Sequence, residues 1–139
     1  LSGDGTKIAT GGMSYSTSNA ANVGYLEIKT APNGGGSSYE ILGVGLAGTV
    51  ANTYMGQIVA LSSDGSTVAA VTNEMSSVEM KPIVKVFDAN GEWGSSSDNN
   101  LTGGDVDDFG KGVAISEDGS VVLVGAREDS KMKAYKFSL

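Results

Sequence analysis

The sequence predicts an all-β protein made of repeated four-stranded antiparallel meanders, and three observations predict it. One phrase returns three times in the 139 residues, as Leu1-Ser2-Gly3-Asp4-Gly5, Leu61-Ser62-Ser63-Asp64-Gly65 and Ile115-Ser116-Glu117-Asp118-Gly119. Each copy is followed by a short β-prone run ending in small residues. No segment of useful length keeps apolar residues at the i, i+3, i+4, i+7 spacing of a helix, and glycine interrupts every candidate window.

The elements follow in order within each unit. An Asp-Gly pair between two apolar runs is a strong hairpin signal, because Gly enters the left-handed region without steric cost, and it predicts a tight type I′ turn at Asp4-Gly5, Asp64-Gly65 and Asp118-Gly119. The strand out of the turn is Lys7 to Gly12, Thr67 to Thr72 or Val121 to Ala126. A polar loop of variable length leads to an alternating third strand, Gly24 to Lys29, Ile83 to Asp88 or Lys133 to Ser138. A fourth strand is expected around an aromatic residue, Tyr39 or Trp93. A bulky residue and Gly, Met55-Gly56 or Phe109-Gly110, then open the strand that runs into the next Asp-Gly turn.

Four strands per unit, with Gly and an aromatic once in roughly 40–60 residues, are the signature of a β-propeller blade. Packed sandwich strands are the competing architecture, but they do not predict the return of whole phrases. The strands amount to about two and a half blades, and a closed ring takes roughly 4–8. The chain is therefore expected to be part of a larger propeller or of an open assembly, with a partial blade and connection over 1–60, a blade over 61–114 and a partial blade over 115–139. Its start at Leu1, without an initiator Met and inside a repeat, points to a processed chain or a piece of something longer.

Composition narrows the chemistry. Without Cys or His there is no Ser-His-Asp triad, no thiol nucleophile, no zinc site of the nitrogen and sulfur type and no disulfide. Carboxylates, Lys, hydroxyls and Tyr remain. A formal charge of −7 has the wrong sign for a phosphate backbone, so nucleic acid is not expected as a partner. No apolar run approaches the roughly 20 residues of a membrane-spanning helix, and membrane insertion is not expected.

Phe109-Gly110, Val113-Ala114-Ile115-Ser116, Asp118-Gly119 and Val124-Gly125-Ala126 form a phrase that resembles the FG-GAP-like repeats, relatives of the integrin α-chain propeller blades. Met55-Gly56, Val59-Ala60-Leu61-Ser62 and Asp64-Gly65 carry the same likeness more loosely. It covers nearly the whole chain and is specific for fold rather than activity, since such repeats serve different functions. The resemblance implies a surface or extracellular setting and inter-blade packing by Tyr39, Trp93, Met55 and Phe109. Integrin-type blades often carry an Asp-x-Asp-x-Asp-Gly calcium loop. The nearest match, Asp105-Val106-Asp107-Asp108-Phe109-Gly110, has the acids at a different spacing, and Thr49 to Tyr54 in the preceding unit has none.

Asp105, Asp107 and Asp108 are the candidate metal ligands, since three carboxylates in four residues repel unless a cation or solvent relieves them; the alternative is a solvated loop. Asp4, Asp64 and Asp118 read as turn residues accepting hydrogen bonds from their own backbone. Trp93 could stack on a sugar ring, although packing between blades is the simpler role. Gly34-Gly35-Gly36 lacks the following helix and Lys-Ser/Thr of a phosphate cradle. The variable loops, Met13 to Val23, Asn73 to Pro82 and Arg127 to Lys131, are where recognition is expected. No enzyme mechanism emerges. The function read from the sequence is a non-enzymatic interaction module of a larger surface or adhesive repeat protein, with protein as the expected partner and carbohydrate as a second candidate, and with no cofactor beyond the candidate calcium. A self-associating structural protein joined through open β-edges is the alternative, and a carboxylate hydrolase the weakest third.

Overall fold

The computed structural model describes residues 1–31, 40–41, 45–75, 79–89, 100–104 and 108–139. Every regular element among them is a strand. A first sheet holds β1 (Lys7–Gly11), β2 (Tyr25–Thr30) and β3 (Glu40–Ile41) in that order, with β4 (Leu46–Ala47) also paired to β2. A second holds β5 (Val59–Leu61), β6 (Thr67–Met75), β7 (Met80–Asp88) and β8 (Asn100–Thr102). The third holds β9 (Gly112–Ile115), β10 (Val121–Glu128) and β11 (Lys131–Ser138). All pairings between these strands are antiparallel.

The registers of the three sheets superimpose. Ile8 faces Lys29, Val68 faces Phe87 and Val122 faces Phe137, each six residues after the Ser of the repeated phrase. A single register fixes which side chains point to which neighbour, because successive residues of a strand alternate between faces. Along β6, Val68 and Ala70 join Leu26, Ile28, Phe87, Ala89 and Met55 in a core between the first two sheets. Ala69 and Val71 turn the other way, into a core with Val84, Val86, Leu101, Phe109, Val122, Val124 and Ala126 between the second and third. The middle sheet is thus covered on both sides, and Val68 to Val71 are all buried. Each of the two valines contributes about 1.5–3 kcal/mol on full burial.

The covering stops at the third sheet. Val122, Val124 and Ala126 are buried while Leu123 and Arg127, on the alternate face, are exposed.

The Asp-Gly turns form where expected but are not of type I′. Only their glycines adopt positive φ, at 72°, 68° and 73°; the preceding aspartates do not. Each loop has four residues, closed by Ser2 N–H to Lys7 O (2.9 Å), Ser62 N–H to Thr67 O (2.9 Å) and Ser116 N–H to Val121 O (2.9 Å). The physical reason is the side chain of Asp, which bonds the N–H two residues on and so holds its own backbone out of the left-handed region.

Candidate functional site

The sheets present two ends with different chemistry. At one end lie the three Ser-x-Asp-Gly turns, built from the same bonds each time. Ser2, Ser62 and Ser116 donate from Oγ to Oδ1 of Asp4 (2.7 Å), Asp64 (2.6 Å) and Asp118 (2.7 Å). The same Oγ accepts the N–H of Lys7, Thr67 or Val121, at 2.9 Å in each case. Backbone N–H groups of Thr6, Ser66 and Ser120 close on the carboxylates at 2.9, 2.9 and 3.0 Å, and their hydroxyls donate as well.

These donors favour the ionised carboxyl. The Ser2 hydroxyl, with the Thr6 N–H and hydroxyl behind it, lowers Asp4 to about 2, and Asp64 is lowered by the Ser62 hydroxyl. Asp118 is brought to about 2, first by the Ser120 N–H and then by the Ser116 hydroxyl. Because the folded values lie below those of an unfolded Asp, the turns contribute their full stability above about pH 4 and lose it as pH falls toward 2.

The turns also bond one another. Gly3 N–H donates to Ser63 O (2.6 Å) and Asp64 N–H donates to Glu117 O (3.0 Å), so each turn gives one backbone donor to the next. Gly65 lies against the Lys7 side chain, whose Nζ donates to Gly65 O (2.8 Å), and Gly119 lies against Thr67 and Ser66. Asp4, Gly5, Asp64, Gly65, Asp118 and Gly119 are therefore parts of a stacked scaffold. The hydroxyl residue after each Gly was not singled out in the sequence, although Thr6, Ser66 and Ser120 recur in register.

At the other end lie the bulky-Gly turns. Gly56 and Gln57 donate to Val71 O (3.1 and 3.3 Å), and Gly110 and Lys111 donate to Gly125 O (3.0 and 3.1 Å). Positive φ recurs at Tyr54 and Gly56, and again at Asp108 and Gly110. This geometry drives Met55 and Phe109 into the two inter-sheet cores, where they are 7% and 3% exposed. Phe109 meets Tyr135 and Phe137 edge to face, with centroids 6.0 and 6.2 Å apart. Tyr39 and Trp93 lie outside the described residues.

Asp105 and Asp107 also lie outside the described residues. The Asp108 carboxylate is paired with Lys111 (3.2 Å) and Arg127 (2.8 Å), so two cationic side chains supply the positive charge its surroundings call for. Among the described residues no group of three or more acids is placed to hold a metal ion.

Beside Asp108 a groove of about 430 Å³ opens between the second and third sheets, with Met13, Tyr54, Gln57, Asn73 and Lys111 on its walls and Ile58 and Phe109 at its base. Asn22, Asn52, Tyr54 and Asn73 form a bonded amide and phenol cluster at its rim, through Asn22 Nδ2 to Asn52 Oδ1 (3.3 Å), Tyr54 Oη to Asn52 Oδ1 (3.3 Å) and Asn73 Nδ2 to Asn52 O (3.4 Å). Such a surface offers neutral donors and acceptors beside the Lys111–Asp108 ion pair, over an apolar base. In comparisons with protein-family models, curated proteins and solved structures, nothing matches this chain.

Proposed function

We propose that the chain is a non-enzymatic interaction module, a β-propeller-like repeat segment of the FG-GAP-like kind from a larger surface or adhesive protein, with its loop end as the recognition surface. The observation that carries this reading is the asymmetry of the two ends. One end repeats the same hydrogen bonds in all three units, which is what a scaffold requires. The other repeats the backbone of its Gly56 and Gly110 turns but sets different side chains on it, with the amide-rich groove beside Tyr54 in one place and the Lys111–Asp108–Arg127 ion pairs in another. The carboxylates described at both ends are engaged, by their own turns or by cations, which supports a non-enzymatic role.

The test is a binding screen of the 139-residue chain against immobilised glycans and cell-surface proteins, with Met13→Ala and Gln57→Ala at the groove and Asp118→Asn at the turn end. Affinity is expected to fall about tenfold, on the order of 1.4 kcal/mol, in the groove variants and to be unchanged in D118N. Binding indifferent to the groove, or turnover of a glycoside by the chain, would contradict the reading.

A second reading, self-association as a structural protein, is favoured by one observation: the exposed alternate face of the third sheet. Assembly through open β-edges is the less favoured route, because the edge strand β11 carries Lys131, Lys133 and Lys136, and lysines on an edge discourage strand addition.

A further inference from the structure

We infer that Asn100 carries an N-linked oligosaccharide on the exposed rim of the second sheet. This rests on the surface-protein reading, because the transfer acts on chains entering the secretory route. It adds a covalent modification that the reading does not contain.

Asn100-Leu101-Thr102 is an acceptor triplet, an Asn with a hydroxyl residue two places on and a residue other than Pro between them. None of the other seven asparagines has Ser or Thr at that spacing. Triplets of this kind arise by chance, so placement in the fold decides whether one can serve.

The triplet is the whole of β8, and the alternation of a strand sends Leu101 to one face and Asn100 and Thr102 to the other. Leu101 is 9% exposed and joins Val84, its partner in register, in the core between the second and third sheets. Asn100 and Thr102 are both exposed, opposite Lys85 and Ile83. The residue that anchors the strand is thus the one the acceptor motif leaves free to vary. The two residues the motif requires face outward together. Among the described residues β8 pairs with β7 alone, at the end of its sheet. Soon after Thr102, Gly104 turns the chain with φ 66°, and nothing lies within 4 Å of a Cβ placed on it. A bulky substituent on Asn100 can therefore leave the surface without displacing the core. It would also shield an end strand that has neither Lys nor Pro, whereas β11 carries three lysines.

The co-reactant is an oligosaccharide joined through a diphosphate to a membrane polyisoprenol. Asn100 Nδ2 attacks the anomeric carbon, and the new N–C bond forms as the bond from that carbon to the diphosphate oxygen breaks. The electron pair leaves with the lipid diphosphate, and a base of the transferase takes the proton lost from Nδ2.

The test is secretion of the 139-residue chain from eukaryotic cells behind a cleavable signal, with intact mass read before and after peptide N-glycosidase. Wild type and Thr102→Ser are expected to lose mass on that treatment, with Asn100 converted to an aspartate. Asn100→Gln and Thr102→Ala are expected to emerge at bare polypeptide mass. Both positions are exposed, so the variants are expected to keep the unfolding midpoint of the enzymatically deglycosylated chain, which separates loss of the acceptor from loss of the fold. A wild-type chain secreted at bare polypeptide mass would overturn the site, and so would a glycan retained by N100Q. Neither result bears on the groove: binding indifferent to Met13→Ala and Gln57→Ala would contradict the interaction module and leave the modified Asn100 standing.

Discussion

Phe109→Ala is expected to lower the stability of the chain by about 3–5 kcal/mol, the range for truncating a buried Phe. The ring is 3% exposed and packs edge to face on two aromatic neighbours, so the loss combines lost transfer energy, a cavity and two ring contacts. It also sits between sheets rather than within one. Urea unfolding should therefore show a lower midpoint, with Tyr135 and Phe137 losing their partner together. A loss below about 1 kcal/mol, the level of an ordinary surface-like substitution, would show that Phe109 does not hold the second and third sheets together.

Gly24→Ala is expected to cost about 2–5 kcal/mol, adding roughly 1–2 for left-handed backbone to 1–3 for forced overpacking. Gly24 has φ 75° and forms a parallel bridge to Met55 at the joint of the first two sheets. A Cβ there would lie 2.1 Å from Met55 N and 2.3 Å from Met55 O, both backbone atoms with little freedom to retreat. Flanking bonds tighten the joint: Met55 N–H to Val23 O and Tyr25 N–H to Met55 O, each 3.0 Å. Gly12→Ala is the control, since nothing lies within 4 Å of a Cβ at that position. Thermal or denaturant unfolding of the pair should separate widely; equal stabilities would mean the close approach at Gly24 is absent.

The order of strands was legible in the sequence because each unit repeats its turn chemistry and its β-branched runs in the same sequence. Three antiparallel sheets follow the chain in the predicted order, with Met55 and Phe109 buried between them. Turn type was misjudged, since Asp-Gly alone does not reveal that Ser two residues before and Ser or Thr after it also bind the carboxylate. Which faces are covered was not legible either. Thr67 to Thr72 and Val121 to Ala126 are similarly apolar runs, yet the first is covered on both sides and the second alternates between buried and exposed. Local composition cannot distinguish them, because covering depends on whether another sheet lies beyond.

The groove was even less visible. Its walls come from Met13, Tyr54, Asn73 and Lys111, which are far apart in the chain and belong to no single motif. Only the stacking of all three sheets brings them together, since Met13 comes from the β1–β2 loop of the first. Two of the variable loops are shorter than the sequence suggests: β6 runs on to Met75 and β7 starts at Met80, and β10 runs to Glu128 with β11 starting at Lys131, because cross-strand pairing continues past the apolar runs. The Asn52-centred amide cluster had no sequence signal of its own.

The central claim is that the units stack serially, each turn giving a backbone donor to the next. Amide hydrogen exchange of the dilute chain tests this most directly. Asp64, although its side chain is exposed in a turn, should exchange slowly because its N–H is bonded to Glu117 O, whereas Asp118 in the equivalent turn should exchange fast. Equally fast exchange at Asp64 and Asp118 would contradict the stacked arrangement.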